Sequence, residues 1–355
     1  MHIENPLILG AGPAGCAAAI ALARGGAAPI LLDRDAEPGD AICGGFLSWE
    51  TARRLADTGI DLAALGAHPV HELAIFAGNA KAVARLPHPA HGLSRHALDT
   101  AMRAVARDAG ADIRVARATA IEDRRVTCAD AVYEPDALFL ATGKHDVRGL
   151  SRPREDVDPA LGLRIRVPGE AVPANSIELH MFPGGYAGIV RQEDGQGANV
   201  CLALRKSLLG EAGGDPIALL TRLAEENPAF ADRLTGDWRA APCDTIGSVP
   251  YGWIAQQTLP GIYRLGDQAA VIPSLAGEGI DIAVTSGLRA AEAYLAGQDA
   301  LLFQHDMAQA CERPVRTAAL AWHIGEHRLA GPLATRLLGL APALSRSAMR
   351  ATRIA

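Results

Sequence analysis

The glycine pattern Gly10-Ala11-Gly12-Pro13-Ala14-Gly15 restricts what this chain can fold into more than any other stretch. It follows the apolar run Pro6-Leu7-Ile8-Leu9 and opens an alanine-rich run that reaches Arg24. Next come Pro29-Ile30-Leu31-Leu32 and an acid, Asp33. A short apolar run, a glycine turn, a run of small residues and a second apolar run describe a βαβ unit. The first glycine allows a tight turn, the second lets the backbone approach a pyrophosphate, and the third lets helix and strand pack closely. The pyrophosphate then sits over Gly12, Pro13 and Ala14 at a helix N-terminus, where free N–H groups and the helix dipole favour it. Asp33 can accept both hydroxyls of an adenosine ribose and would repel a 2′-phosphate, and Arg34 beside it counts with the cofactor-side residues. The glycine spacing alone is weak, but here the strand before it, the helix after it and the distal acid are all in place.

A chain of 355 residues is too long for one small core, and 49% apolar with 21% charged residues reads as a well-buried globular enzyme. The net charge of −6 gives no sign of a nucleic-acid partner. Six scattered cysteines without a CxxC pair argue against a zinc site and against a disulfide framework, so no metal is expected. The N-terminus runs straight into a strand with no charged leader, which fits a reducing, cytoplasmic setting. No run reaches the ~18 apolar residues that a membrane span needs.

Further along, residues 94–110 read as a helix, and residues 111–115 as a short strand returning to the same sheet. Residues 120–126 and 131–133 read as extended, followed by a buried run that ends in Ala141-Thr142-Gly143. From 161 to 205 the pattern changes to alternation, as in Leu163-Arg164-Ile165-Arg166-Val167, which predicts an antiparallel sheet inserted into the α/β chain. Residues 215–236 read as helical, 245–250 as extended, and a helix is predicted from about Gly279 to Leu295. The expectation is an α/β chain with a Rossmann-like domain assembled from about 1–70, 90–160 and 250–300. A β-rich substrate domain comes from about 71–89 and 161–249, and a helical C-terminus from 301–355.

Tyr263-Arg264-Leu265-Gly266-Asp267, then Pro273, then Gly277-Glu278-Gly279 at a helix start resemble the Gly-Asp motif of glutathione-reductase-type flavoproteins. The resemblance implies FAD, with the Asp on the ribityl chain and the Pro–Gly–Gly turn against the flavin pyrimidine. Ala141-Thr142-Gly143 matches a third motif of that family, and Arg95 matches an arginine that reaches the cofactor phosphates. Over most of residues 1–300 the motif order is similar to that of the p-hydroxybenzoate hydroxylase-like monooxygenases and geranylgeranyl reductases. Cys43-Gly44-Gly45 resembles a segment beside the flavin in that superfamily, and the turn Phe182-Pro183-Gly184-Gly185-Tyr186 resembles a substrate-cavity wall. One departure concerns the electron donor. NADPH or NADH is expected, yet the Asp-Gly step that helps hydroxylases bind it is replaced here by Asp158-Pro159-Ala160.

The resemblance implies two chemistries. The first is hydroxylation of an aromatic or polyketide-like small molecule through a flavin C4a-hydroperoxide, which is the leading expectation. The second is hydride delivery to an alkene with a proton from an acid, for which Cys43 and Tyr186 are the candidates. A flavin-binding protein without turnover is a third, remote alternative. His180 on a strand reads first as a structural histidine. The segment from Arg313 onward holds seven arginines against one acid, Glu326, with leucines at near-helical spacing. Such a segment fits either a cap over the cavity or peripheral contact with a membrane, and in the second case the substrate is lipophilic.

Overall fold

The apolar run Leu7–Leu9 is a fully buried strand in the middle of a five-stranded parallel sheet. The computed structural model describes residues 2–3, 5–153, 157–195 and 197–354. Across the sheet the strands are ordered Ile262–Arg264, Leu138–Leu140, Leu7–Leu9, Ile30–Asp33 and Asp112–Val115, each parallel to its neighbour. Successive side chains point to opposite faces. Ile8, Leu31 and Phe139 therefore enter one core, while Leu7, Leu9, Leu32, Leu138 and Leu140 enter another with Val126 and Tyr133. Burial on both faces explains why the central strands Leu7–Leu9 and Leu138–Leu140 are apolar throughout rather than alternating.

The first core is completed by α1 (Pro13–Arg24), α2 (Trp49–Thr58) and α3 (Arg95–Asp108). Helices α2 and α3 begin at Ser48 and Ser94, whose hydroxyls accept the N–H groups of Thr51 and Ala97. The second core is covered by a small sheet ordered His2–Ile3, Val132–Pro135, Arg125–Cys128 and Ala118–Glu122. The stretch read as one extended run at 120–126 is instead a hairpin that turns at Asp123, whose φ is 51°.

The alternating segments form an eight-stranded sheet. Its order is Asp244–Val249, Ala160–Pro168, Gly197–Arg205, Gly185–Gln192, Ser176–Phe182, His68–Ala77, Ala80–Gly92 and Phe46–Leu47. It is not purely antiparallel, because Ser176–Met181 runs parallel to Glu72–Ala77. The hairpin at 68–92 comes from an earlier part of the chain and docks beside the later strands. Behind this sheet lie α4 (Lys206–Glu211), α5 (Pro216–Glu226) and α6 (Pro228–Ala231). The helix expected over 215–236 is interrupted because Pro228 has no N–H to continue α5. Leu163, Ile165, Ile189 and Val200 pack outward on Leu219, Leu223 and Phe230, leaving Leu179 and Tyr186 on the inner face.

Helix α7 (Gly279–Leu295) lies directly on α1. A Cβ at Gly287 would stand 2.4 Å from the Ala14 carbonyl oxygen and 2.9 Å from the Ala18 nitrogen, so the alanines of α1 are there to let two backbones approach. Helix α8 (Ala300–Gly325) starts in the first core and ends beside the inner face of the eight-stranded sheet at Trp322. There the indole N–H donates to Glu326 at 2.9 Å, and Glu326 takes Arg205 through both oxygens at 2.7 and 3.0 Å. Helices α9 (Ala330–Leu340) and α10 (Pro342–Ala351) complete the fold, with α9 packed on the 68–92 hairpin. Among the described residues no helix is long and apolar enough to cross a membrane.

His180 lies on the outer face, stacked on Phe76 with ring centroids 4.6 Å apart, and bonded to Glu178 at 3.1 Å. Burial works against the charge of Glu178, but hydrogen bonds from His180 and Arg233 hold its carboxyl below the usual range. Its stabilising contribution is present above the ordinary glutamate value of about 4.3 and is lost as pH falls through the depressed native value. Glu178→Gln is therefore expected to flatten the acid limb of a thermal-stability profile, and an unaltered limb would show that the pair contributes nothing. Gly287→Val should destabilise the protein by about 1–3 kcal/mol in urea titration, because α1 and α7 must separate to admit it.

Candidate active site

One cavity of about 1230 Å³ runs between the parallel sheet, the inner face of the eight-stranded sheet and the C-terminal helices. Pockets for a single small ligand occupy roughly 300–1,000 Å³, so there is room for a dinucleotide and a second molecule.

At one end the chain leaves Leu9 through Gly10, whose φ is +103° and where a Cβ would lie 2.4 Å from the Ala141 carbonyl oxygen. Gly12 caps α1 without a side-chain hydrogen bond, and Gly12, Pro13 and Ala14 all face the cavity. The uncapped amides of that helix turn suit a pyrophosphate. Gly15 lies behind the wall: its Cβ would be 1.9 Å from the Gly10 carbonyl oxygen, so its role is close packing. Asp33 accepts the Ala11 N–H at 2.6 Å and pairs with Arg103 at 3.2 Å. Arg103 also donates to the carbonyls of Ala11 and Asp35 at 3.1 and 2.9 Å. This buried arginine ties the glycine turn to the end of the second strand, and nothing in its position on a helix face announced it. Arg34, half exposed on the cavity rim, pairs with Asp35.

Arg95 lines the cavity beside Gly12, 3.4 Å from where a Cβ there would stand. It forms a two-pronged pair with Asp99 at 2.8 and 2.7 Å. Burial disfavours its charge, but Asp99 more than compensates and keeps the guanidinium protonated. Any phosphate it meets therefore shares it with an existing carboxylate.

The third and second motifs meet the first in the same cavity. Ala141, Thr142 and Gly143 face it, as do Gly266, Asp267, Gly277 and Gly279. Gln268 bridges the two segments by donating to the Gly143 carbonyl at 2.9 Å. Gly277 has φ +70° and a Cβ would stand 2.6 Å from the Phe46 ring. Pro273 and Glu278 are not on the wall. Pro273 caps a short 3₁₀ turn, and Glu278 is buried behind the turn, paired with Arg353 from the C-terminal end. Burial pulls Arg353 down to about 10. Nearby Arg54 holds buried Asp281 at 2.6 and 2.7 Å, where burial outweighs the pairing and raises the carboxyl's pKa.

Cys43, Gly44 and Gly45 line the same cavity. Asn199 donates to the carbonyls of Cys43 and Gly44 at 2.9 and 2.8 Å, and Lys144 to that of Ile42 at 3.1 Å. In the same lining the Ser274 hydroxyl stands between two phenols, bonded to Tyr186 and, at 3.0 Å, to Tyr251. Trp322 packs edge-on against both rings, at 6.0 and 4.9 Å. Burial pushes both phenols well above the ordinary tyrosine range and the neighbouring Cys201 thiol to about 12. Sequence reasoning named Tyr186 alone; Ser274 lay inside a motif read for its backbone, and Tyr251 in a segment with no periodic signal. Among the described residues no group of three His, Cys, Asp or Glu is placed to hold a metal.

Residues 5–136 match the FAD-binding domain family. With the three motifs meeting in one cavity, that match decides the class. The chain is an FAD-dependent oxidoreductase. At 26% identity it is similar to digeranylgeranylglycerophospholipid reductase 2 of Methanopyrus kandleri, covering 81% of this chain and 75% of the relative. Its fold is that of the flavin-dependent brominase Bmp2, with a TM-score of 0.78 and 15% identity over 99% of this chain and 93% of that one. It is also that of a geranylgeranyl bacteriochlorophyll reductase-like protein from Thermoplasma acidophilum, at TM-score 0.71 and 18% identity over 99% and 93%. The flavoprotein thus shares its fold with a brominase and with a geranylgeranyl reductase-like protein.

The residues present fit FAD: an uncapped helix N-terminus for the pyrophosphate, an acid at the ribose end, and a helix start at Gly279 for the flavin end. Arg103→Met should weaken FAD binding by about 2 kcal/mol, or roughly 30-fold, since it removes charged hydrogen bonds that shape the ribose end. Flavin fluorescence titration of the deflavinated protein measures this, and unchanged affinity would show that the turn holds its shape unaided.

Proposed function

We propose that the flavoprotein saturates carbon–carbon double bonds in a long, apolar substrate of isoprenoid type. The observation that carries this reading is the character of the cavity beyond the Pro273–Gly279 turn. Its walls include Leu73, Ile75, Ile177, Leu179, Leu338 and Met349, with Tyr186, Tyr251 and Ser274 among its polar groups. The charged residues contributed by the eight-stranded sheet and the tail, Asp244 and Arg353, are engaged by Arg164 and Glu278. A chain-like hydrocarbon fits such walls. The name of the Methanopyrus relative, a reductase of a geranylgeranyl-bearing lipid, points the same way.

Bound FAD, reduced by NADPH or NADH, would supply the hydride. The protein's own part is to exclude water, seat the double bond, and provide the proton that the neighbouring carbon needs. Both phenols stay protonated because burial disfavours the phenolate. A proton leaving the Tyr186 Oη can be replaced through the Ser274 Oγ from Tyr251, the less buried of the two tyrosines. One double bond thus gains one hydride and one proton. Cys43, half-buried in the lining of the same cavity, is the second candidate donor.

The oxygen-transfer reading, the leading expectation from the sequence, requires an electron-rich ring at the same edge, and the products separate the two. Chemically reduced protein mixed with a polyprenyl alcohol under argon should yield a product heavier by two hydrogens. A product carrying an added oxygen atom in air, with none reduced under argon, would overturn the proposal. Tyr186→Phe and Ser274→Ala should each slow reduction by about 10²-fold or more while retaining flavin. Cys43→Ser separates the two donors, since only a Cys43-dependent mechanism suffers from it.

A further inference from the structure

Helices α9 and α10 turn leucines outward. Leu329, Leu333, Leu337, Leu340 and Leu344 are 77%, 58%, 52%, 84% and 56% exposed. Positions 333, 337 and 340 lie on one face of α9, while Gly331 and Thr335 on the opposite side are buried. Single exposed leucines are ordinary on protein surfaces, but a contiguous row marks an interaction site.

The charge around this row is one-sided. Arg328, Arg336, Arg346 and Arg350 are all exposed, and between His327 and Ile354 there is no aspartate or glutamate. The whole chain carries −6, so this is a local reversal of sign. Leucines interspersed with arginines and no acids suit a surface that offers anionic headgroups above an apolar layer.

The same two helices also wall the cavity. Leu338, Ser345, Ala348 and Met349 line it from within. One layer of helix therefore separates the leucine row from the apolar chamber.

We propose that α9 and α10 are the face by which this protein docks on an anionic lipid bilayer. The leucines enter the boundary between headgroups and acyl chains, and the arginines meet lipid phosphates. The cavity mouth is thereby held at the depth where an apolar substrate is dissolved. This surface stands on its own residues and does not depend on the alkene-reduction reading.

The test is co-sedimentation of the FAD-loaded full chain with vesicles of phosphatidylcholine, alone or with phosphatidylglycerol added. Binding is expected to the anionic vesicles and to fall as salt is raised. The triple change Leu333→Asp, Leu337→Asp and Leu340→Asp should keep its flavin and lose roughly tenfold or more in vesicle partitioning. Should that variant lose flavin, Arg336→Glu with Arg346→Glu carries the test, since both positions are exposed and a similar loss is expected. No binding of the unaltered chain to anionic vesicles, or undiminished binding of the variants, would overturn the proposal. So would a dimer in analytical ultracentrifugation that the leucine changes convert to monomer without any lipid binding, because the face would then belong to a second copy.

Discussion

The contact between α1 and α7 is the constraint on which the rest of the molecule depends. Gly287 stands where a side chain would strike the backbone at Ala14 and Ala18. Because the two helices touch at that distance, their N-termini arrive at the same cavity. Gly12 comes at the head of one and Gly279 at the head of the other. Two dipole ends aimed into one space make a strongly anion-favouring environment. It suits both a pyrophosphate and the negative charge that gathers on a flavin pyrimidine during reduction. Gly266 extends the contact, since a Cβ there would stand 3.2 Å from that of Ala14.

Around this contact the protein buries several charges, each with a partner. Arg95 meets Asp99, Arg54 meets Asp281, and Arg353 meets Glu278. Such pairs are poor sources of net stability, because desolvation cancels much of their attraction. Their value lies in geometry: a buried pair with one member removed leaves a charge that nothing else can satisfy. Two of the pairs join the start of α7 to distant segments, α2 in one case and the last residues of the tail in the other. The flavin-side turn is thereby held from behind by side chains that never touch the cofactor.

Much of this was readable from the chain before its structure. The βαβ fingerprint, the return strand at 112–115 and the start of α7 at Gly279 follow from local pattern: runs, glycines and spacing. The hairpin at 118–128 was blurred because a non-glycine residue, Asp123, takes the left-handed turn. The parallel pairing of residues 72–77 with 176–181 leaves no trace in either segment, since alternation records which side is buried and not which strand lies alongside. In the site, the backbone roles of glycines were visible because a close approach restricts the residue type. The roles of Arg103, Ser274 and Tyr251 were not, because an arginine on a helix face or a tyrosine in a loop acquires its meaning from neighbours far away in sequence. Glu278 shows the converse. Its place within a recognised motif suggested contact with the cofactor, yet its partner is an arginine from the far end of the chain.

The parallel sheet also has a temporal consequence. Its strands come from residues 7–9, 30–33, 112–115 and 138–140, and then from 262–264. On a ribosome the first four can pair while the fifth is still unmade, and the five strands that the second sheet takes from residues 160–249 are synthesised in between. Domains tend to fold as they emerge, and contacts between distant segments close last. The pyrophosphate end of the site can thus form early, whereas the flavin end waits for residues 266–279, and the Arg353 latch waits longer still. A nascent chain that met FAD could grip its adenosine half alone. Placing the reactive half belongs to the finished polypeptide, since a chain interrupted after the eight-stranded sheet would lack the Gly266 and Gly277–Gly279 segments that line that end of the site.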